Sequence, residues 1–162
     1  TNPIFEDTSA ITVSSQTGRG LRRVLQGYLS LKDALVSSDL ERAVRETVVL
    51  KSRVAKLSTD DFEPESQDDW RAYQQRLTQL LDDMDKASEL SSFRSDFAQL
   101  SEVWIQWMRR TGALETELYV QLCPMAEHNQ GAQWLSSEPE IANPYFGDAM
   151  LRCGEVVETL SP

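Results

Sequence analysis

Four sulfur-bearing side chains stand in two short motifs near the end of the 162-residue chain. Cys123 and Met125 flank a proline, while Met150 and Cys153 are three residues apart. Thiolates and thioethers are soft ligands that select Cu(I) or Ag(I), whereas hard cations such as Ca²⁺ prefer oxygen. If the fold brings the two motifs together, they predict a soft-metal site, with His128 as a further candidate ligand.

The same cysteines have two other interpretations, and both stay open. A disulfide between Cys123 and Cys153 would close a 31-residue segment. In an oxidising compartment such a bond contributes roughly 3–4 kcal/mol, and Met125 and Met150 would then be ordinary core residues. Alternatively, both cysteines are free buried thiols. A lone histidine such as His128 is also commonly a surface or hydrogen-bonded residue.

The acidic residues are concentrated in the same part of the chain. The net charge is −10, and residues 112–162 hold eight acidic side chains against one base, Arg152. That segment therefore carries −7 and the first 111 residues carry −3. An acidic balance disfavours generic binding to nucleic acid or to anionic lipid, and it draws cations toward the sulfur motifs. Acidic loops of this kind also simply favour solubility.

Motifs for catalysis are absent from the sequence. Thr17–Gly20 is glycine-rich, but it lacks the Lys-Ser/Thr pair and the preceding strand of a phosphate-binding loop. No serine stands in a G-x-S-x-G elbow, and no C-x-x-C-H haem attachment is present. We therefore expect no catalytic residues, no organic cofactor and no enzymatic activity.

Apolar residues recur at helical spacing in four segments between Arg19 and Thr111. The connections are short and polar, with Ser38 and Ser91 or Ser92 as N-caps and Gly112 as the final stop. This pattern predicts an all-α fold, an antiparallel up-down-up-down four-helix bundle. The aromatic residues of the fourth segment are expected to be core: Phe93, Phe97, Trp104 and Trp107.

The periodicity ends after Gly112. Residues 113–143 show neither a helical nor a strand period, yet they include seven large apolar side chains that need burial: Leu118, Tyr119, Val120, Leu122, Trp134, Leu135 and Ile141. We expect an ordered, irregular wrap across the bundle. Asn143 before Pro144 resembles a helix start and Gly154 a helix stop, which predicts a short helix over Pro144–Arg152.

The domain organisation follows from these segments. We expect a flexible N-terminal arm over residues 1–18 and one domain over 19–162, in which the bundle occupies 19–111 and the wrap 112–162. No uncharged apolar run approaches the roughly 18 residues of a spanning helix, so no membrane span is predicted. A first residue Thr1 instead of Met fits a removed signal peptide and a periplasmic or secreted location. We expect a monomer.

Four motifs follow one another in the C-terminal segment: Tyr119–Ala126 (YVQLCPMA), Gly131–Ser136 (GAQWLS), Ile141–Gly147 (IANPYFG) and Met150–Val156 (MLRCGEV). Together with Tyr28–Leu35 in the first helix, they resemble an uncharacterised family of exported bacterial helical domains, a domain of unknown function. The resemblance extends over about residues 20–159.

Members of that family either stand alone behind a signal peptide or are fused to periplasmic adaptors of CusB-type copper/silver efflux pumps. The resemblance implies heavy-metal ligands at Cys123, Met125, Met150 and Cys153, and a cell-envelope metal-efflux protein as partner. This chain has His128 where Asn is common, and we expect no adaptor domain in it. We expect a stand-alone periplasmic protein for copper handling or resistance, with a disulfide-stapled structural or interaction module of the cell envelope as the alternative.

Overall fold

The computed structural model describes residues 2–162, in which the chain forms five helices and three strands. The helices are α1 (Ser15–Val36), α2 (Leu40–Lys56), α3 (Gln67–Asp85), α4 (Leu90–Thr111) and the single turn α5 (Ala126–Asn129). The strands are β1 (Leu118–Cys123), β2 (Ala132–Ser136) and β3 (Glu155–Leu160). Short 3₁₀ helices span Pro3–Glu6, Thr59–Asp61, Pro64–Ser66 and Gly147–Met150.

The four long helices predicted from the periodicity are present, and consecutive helices pack against each other. Helix α1 is capped by Ser14, whose side chain accepts from the N–H of Thr17. Asp39, one residue after the predicted cap, accepts from the N–H of Arg42 at the start of α2. Gly112 ends α4 with a φ of +83°, as expected of a C-cap glycine. No helix in the described part of the chain combines the length and apolarity needed to cross a bilayer.

Aromatic side chains fill the centre of the bundle. The four residues of α4 predicted to be core are fully buried: Phe93, Phe97, Trp104 and Trp107. The Trp107 ring lies 5.0 Å from Trp70 and 4.9 Å from Tyr73, both on α3. Tilted aromatic pairs at this spacing add stabilisation beyond the apolar area that they bury.

The segment after Gly112 forms an antiparallel sheet in the order β2-β1-β3, and the predicted all-α class is therefore wrong. The fold is mixed, although mainly helical, and the sheet replaces the predicted irregular wrap. A search for periodic apolar residues misses these strands because β1 is buried on both of its faces, while most of β3 is exposed. Neither strand shows the alternation that marks a half-buried strand.

The helix predicted over Pro144–Arg152 is also wrong, since turns and a 3₁₀ helix occupy this stretch. The Asn143 side chain does accept from the N–H of Tyr145 at 2.8 Å, as an N-cap would. However, Gly147 adopts a φ of +57°, which is incompatible with a continuing right-handed helix. The cap is therefore followed by a turn.

The predicted N-terminal arm, residues 1–18, lies against the bundle over its described residues. Ile11 is buried, and its N–H donates to the carbonyl of Arg110 at 2.8 Å. The Phe5 ring packs edge-on against Tyr73 with centroids 4.9 Å apart. Helix α1 begins at Ser15, before the predicted boundary at 19.

One tyrosine joins the sheet to the bundle. The buried hydroxyl of Tyr28 on α1 shares a 2.6 Å hydrogen bond with Ser101 on α4 and accepts the N–H of Leu135 on β2 at 3.1 Å. Trp134 and Tyr145 extend this contact, with ring centroids 5.9 Å apart. The helices and the sheet therefore share one hydrophobic core.

Candidate metal centre

The structure places Cys123 and Cys153 side by side. Cys123 is the last residue of β1 and is fully buried, while Cys153 stands just before β3 and is partly exposed. The antiparallel pairing of β1 with β3 joins Leu122 to Glu155, which brings the two cysteines together. Both cysteines are free thiols. Two residues 30 positions apart thus form one dithiol pair.

The pKa of the Cys153 thiol lies above its ordinary value. Burial is the largest cause, and the adjacent Cys123 side chain adds to it. Burial disfavours a charged thiolate because it removes the water that solvates the charge. The raised pKa favours the protonated form of the Cys153 thiol, and a metal that binds its thiolate must displace that proton.

Asn143 fixes the segment that carries Cys153. Its side-chain amide donates to the Cys153 carbonyl at 2.9 Å, and its main-chain N–H donates to the Leu151 carbonyl at the same distance. Asn143 is fully buried, so these bonds are shielded from water. Sequence reasoning identified Asn143 only as a helix cap. Its position before a proline in an aperiodic segment was the one available signal.

Gly154 allows the same segment to lie directly on β1. Its φ is +140°, and an added Cβ would stand 2.8 Å from the carbonyl oxygen of Leu122 and 3.1 Å from the Trp134 ring. Both the backbone angle and the space therefore require glycine. The close approach sets the separation between Cys153 and the end of β1.

Arg94 connects this region to the bundle. The guanidinium donates from Nε to the Pro144 carbonyl at 2.8 Å and from Nη2 to the Leu35 carbonyl at 2.9 Å. Partial burial lowers the pKa of Arg94 from its ordinary value. Its partners lie 50 and 59 residues away along the chain, so no local sequence signal could have identified this role.

The other predicted ligands differ in their placement. Met125 is 46% exposed and His128 is exposed, both in the loop between β1 and β2. Met150 is partly buried, and its carbonyl accepts the N–H of Cys153 at 3.0 Å. Across residues 2–162, no three His, Cys, Asp or Glu side chains come together as a metal cluster. His128 therefore does not join the two cysteines in a three-ligand site.

The loop between β1 and β2 contains three consecutive residues in an unfavourable left-handed backbone conformation. Glu127, His128 and Asn129 follow each other with φ of +54°, +55° and +66°. Non-glycine residues pay about 1–2 kcal/mol each in this left-handed region. The Ser95 hydroxyl donates to the Glu127 carboxylate at 3.1 Å and holds the turn against α4. Strained backbone of this kind clusters at ligand sites, and this loop carries Met125.

Comparisons with known proteins identify the helical part alone. A family model described as "Protein of unknown function (DUF3347)" matches residues 24–116, more than half of the chain. The match ends before β1, so the cysteines and the four C-terminal motifs lie outside it. The association with copper efflux adaptors thus stays a prediction. No curated protein and no solved structure matches the chain.

Proposed function

The chain belongs to the DUF3347 family, and we propose that it binds a soft metal ion, Cu(I) or Ag(I), through the thiolates of Cys123 and Cys153. One observation carries the proposal: the pairing of β1 with β3 places two free cysteines side by side at the edge of the core. This placement depends on Asn143, which holds the Cys153 carbonyl, and on Gly154, which allows the segment to lie close to β1. A pre-positioned dithiol is a suitable ligand set for a soft cation.

The donor set favours Cu(I) over other metals. Structural Zn²⁺ sites use four ligands from Cys and His, and the described residues offer no third such side chain beside the cysteines. Cu(I) is satisfied by two thiolates, to which the thioethers of Met125 and Met150 can add. The net charge of −7 over residues 112–162 further favours a cation at this end of the molecule.

Such a site suits heavy-metal handling or resistance in the cell envelope, where the protein would act as a binder and not as an enzyme. A metal-efflux protein of the envelope is the partner that this role implies. A half-exposed Met125 beside a buried Cys123 would give a partner access to the metal from the loop side.

Titration with Cu(I) under anaerobic, reducing conditions against a competing chelator tests the proposal. We expect one Cu(I) per chain, and loss of that site in the Cys123→Ser/Cys153→Ser variant. A Met125→Leu/Met150→Leu variant keeps the apolar volume and measures what the thioethers contribute. Thermal unfolding of each variant establishes that it folds. If the folded double-serine variant binds Cu(I) as tightly as the wild type, the proposal is wrong.

The second candidate function is a disulfide-stapled structural or interaction module. It is favoured by the same placement of Cys123 next to Cys153, since neighbouring thiols oxidise readily when an exported protein meets a disulfide donor. Thiol counting by mass spectrometry on protein purified without reductant separates the two. Formation of the disulfide removes two hydrogen atoms, as two protons and two electrons that pass to the disulfide donor, and lowers the mass by about 2 Da. A fully oxidised pool that reduction destabilises supports the staple, while two free thiols contradict it.

A further inference from the structure

A basic cleft lies at the end of the bundle where α1 begins and α2 ends. It has a volume of about 600 Å³ and is lined by four cationic side chains: Arg19, Arg23, Arg53 and Lys56. In a protein of net charge −10, four of the sixteen Lys and Arg residues thus meet in one cavity. The cleft is separate from the cysteine pair and from the residues that position it.

Antiparallel packing of two helices creates the cleft. Arg19 and Arg23 are four residues apart on α1, and Arg53 and Lys56 are three apart on α2, so each pair shares one helix face. The guanidinium of Arg53 donates to the main-chain carbonyl of Arg23 at 2.9 Å, which locks the two faces together. Gly20 forms part of the cleft floor, with Leu57 packed tightly on it.

The positive charges of the cleft lack ionic partners. Among the described residues, none of the four cations lies within 4.0 Å of a carboxylate. One acid, Asp61, lines the wall, and its Oδ2 accepts the N–H of Ser58 at 2.8 Å. The lining charge is therefore +3. Like charges at helical spacings of three and four repel each other, and a bound anion would relieve that repulsion.

We propose that this cleft binds a small multivalent oxyanion, of the phosphorylated or the polycarboxylate class. Its volume matches that of small-molecule sites, and Arg forms bidentate hydrogen bonds with phosphate and carboxylate alike. A large polyanion such as nucleic acid, or an anionic membrane, would face the −10 charge of the whole protein, whereas a small ligand meets the local field of the cleft.

Isothermal titration of the metal-free protein with pyrophosphate and with citrate at low ionic strength tests the proposal. We expect one anion per chain, with affinity reduced at least about tenfold in Arg19→Gln/Lys56→Gln. The matched control is Arg42→Gln/Lys86→Gln, which removes the same charge outside the cleft and should leave binding unchanged. Binding of pyrophosphate alone assigns the phosphorylated class, and binding of citrate alone the polycarboxylate class.

A second test leaves the cationic side chains in place and looks for a gain of affinity. Asp61→Asn removes the one negative charge of the lining and keeps an oxygen that can accept from Ser58. We expect this variant to bind the preferred anion several-fold more tightly. The proposal is overturned if neither anion binds the wild type, or if the cleft and control variants weaken binding equally.

Discussion

The side-chain amide of Asn143 donates to the carbonyl oxygen of Cys153 over 2.9 Å, while its oxygen accepts the N–H of Tyr145. Asn143 is fully buried, and water cannot replace these bonds. The position of one thiol of the proposed metal centre therefore depends on a residue ten positions earlier in the chain.

Asn143→Ala should damage both stability and the site. The substitution leaves the Cys153 carbonyl and the N–H groups of Tyr145 and Phe146 without their partner. We expect the free energy of unfolding to fall by about 2–4 kcal/mol. Cu(I) affinity should fall about tenfold or more, although both thiols remain. Urea unfolding and chelator competition measure the two effects. Gln130→Ala, at an exposed position of the neighbouring loop, is the control, and equal behaviour of the two variants would contradict the assigned role.

Gly154→Ala tests the close approach to β1. The new methyl group would meet the Leu122 carbonyl oxygen at 2.8 Å, and alanine disfavours a φ of +140°. The segment must therefore shift, and we expect at least about tenfold weaker Cu(I) binding. The control is Gly18→Ala in α1, where the nearest atom outside the helix backbone is 3.7 Å away. That variant should be neutral or slightly stabilising. Unchanged metal affinity in a folded Gly154→Ala protein would show that the approach does not set the thiol geometry.

Two adjacent arginines on α4 should differ sharply in their contribution to stability. Arg110 is 4% exposed and lies 2.7 Å from the Asp69 carboxylate. Arg110→Met leaves that carboxylate without its partner, and we expect a loss of about 3–5 kcal/mol. Arg109 pairs with Glu158 at the surface, and Arg109→Met should cost less than about 1 kcal/mol. Chemical denaturation compares the two variants, and similar losses would rule out a special role for the buried pair.

Asp7 should make the docking of the N-terminal segment sensitive to acid. The pKa of its carboxyl is lowered, first by hydrogen bonds from Ser9 and then by the charge of Arg110. A lowered pKa means that the folded state binds fewer protons, so the stabilisation is complete above the unfolded pKa of about 3.9. It is lost as the pH falls through the folded pKa.

The matching experiment follows the melting temperature of Asp7→Asn against pH. The variant should melt below the wild type at about pH 7, and the difference should shrink as the pH falls and the Asp7 carboxyl of the wild type becomes protonated. Asp60→Asn, at an exposed aspartate of the α2–α3 connection, is the control. A difference for Asp7→Asn that does not change as the pH is lowered would mean that the effect is not electrostatic.

Periodicity is sufficient to predict α1–α4 because each helix buries one stripe and exposes the other. It fails for the sheet for two opposite reasons. The polar Gln121 is fully buried within β1, where its side chain donates to the carbonyls of Glu138 and Pro139, so it interrupts the pattern without facing water. In β3, the exposed Val156 and Val157 suggest burial that does not occur.

The candidate site, too, could be predicted from the sequence only in part. The sequence predicts that Cys123 and Cys153 act together, because they are the only cysteines and both lie in the C-terminal segment. The residues that bring them together act through space, since Arg94 reaches Pro144 and Gly154 fits against Trp134. The basic cleft could not be predicted for the same reason. Its cations come from two different helices, and the net charge of −10 gives no sign of a local excess of positive charge.

The hydroxyl of Tyr28 makes a hydrogen bond that crosses the boundary of the range matched by the family model. Residues 24–116 contain Tyr28 and its partner Ser101, but not Leu135, whose N–H completes the contact from β2. The same core also includes Ile11 and Trp134, which lie before and after the matched range. A protein cut to the matched residues would expose the apolar surface that these side chains cover. The unit that shares one hydrophobic core is therefore longer than the unit by which the family is recognised.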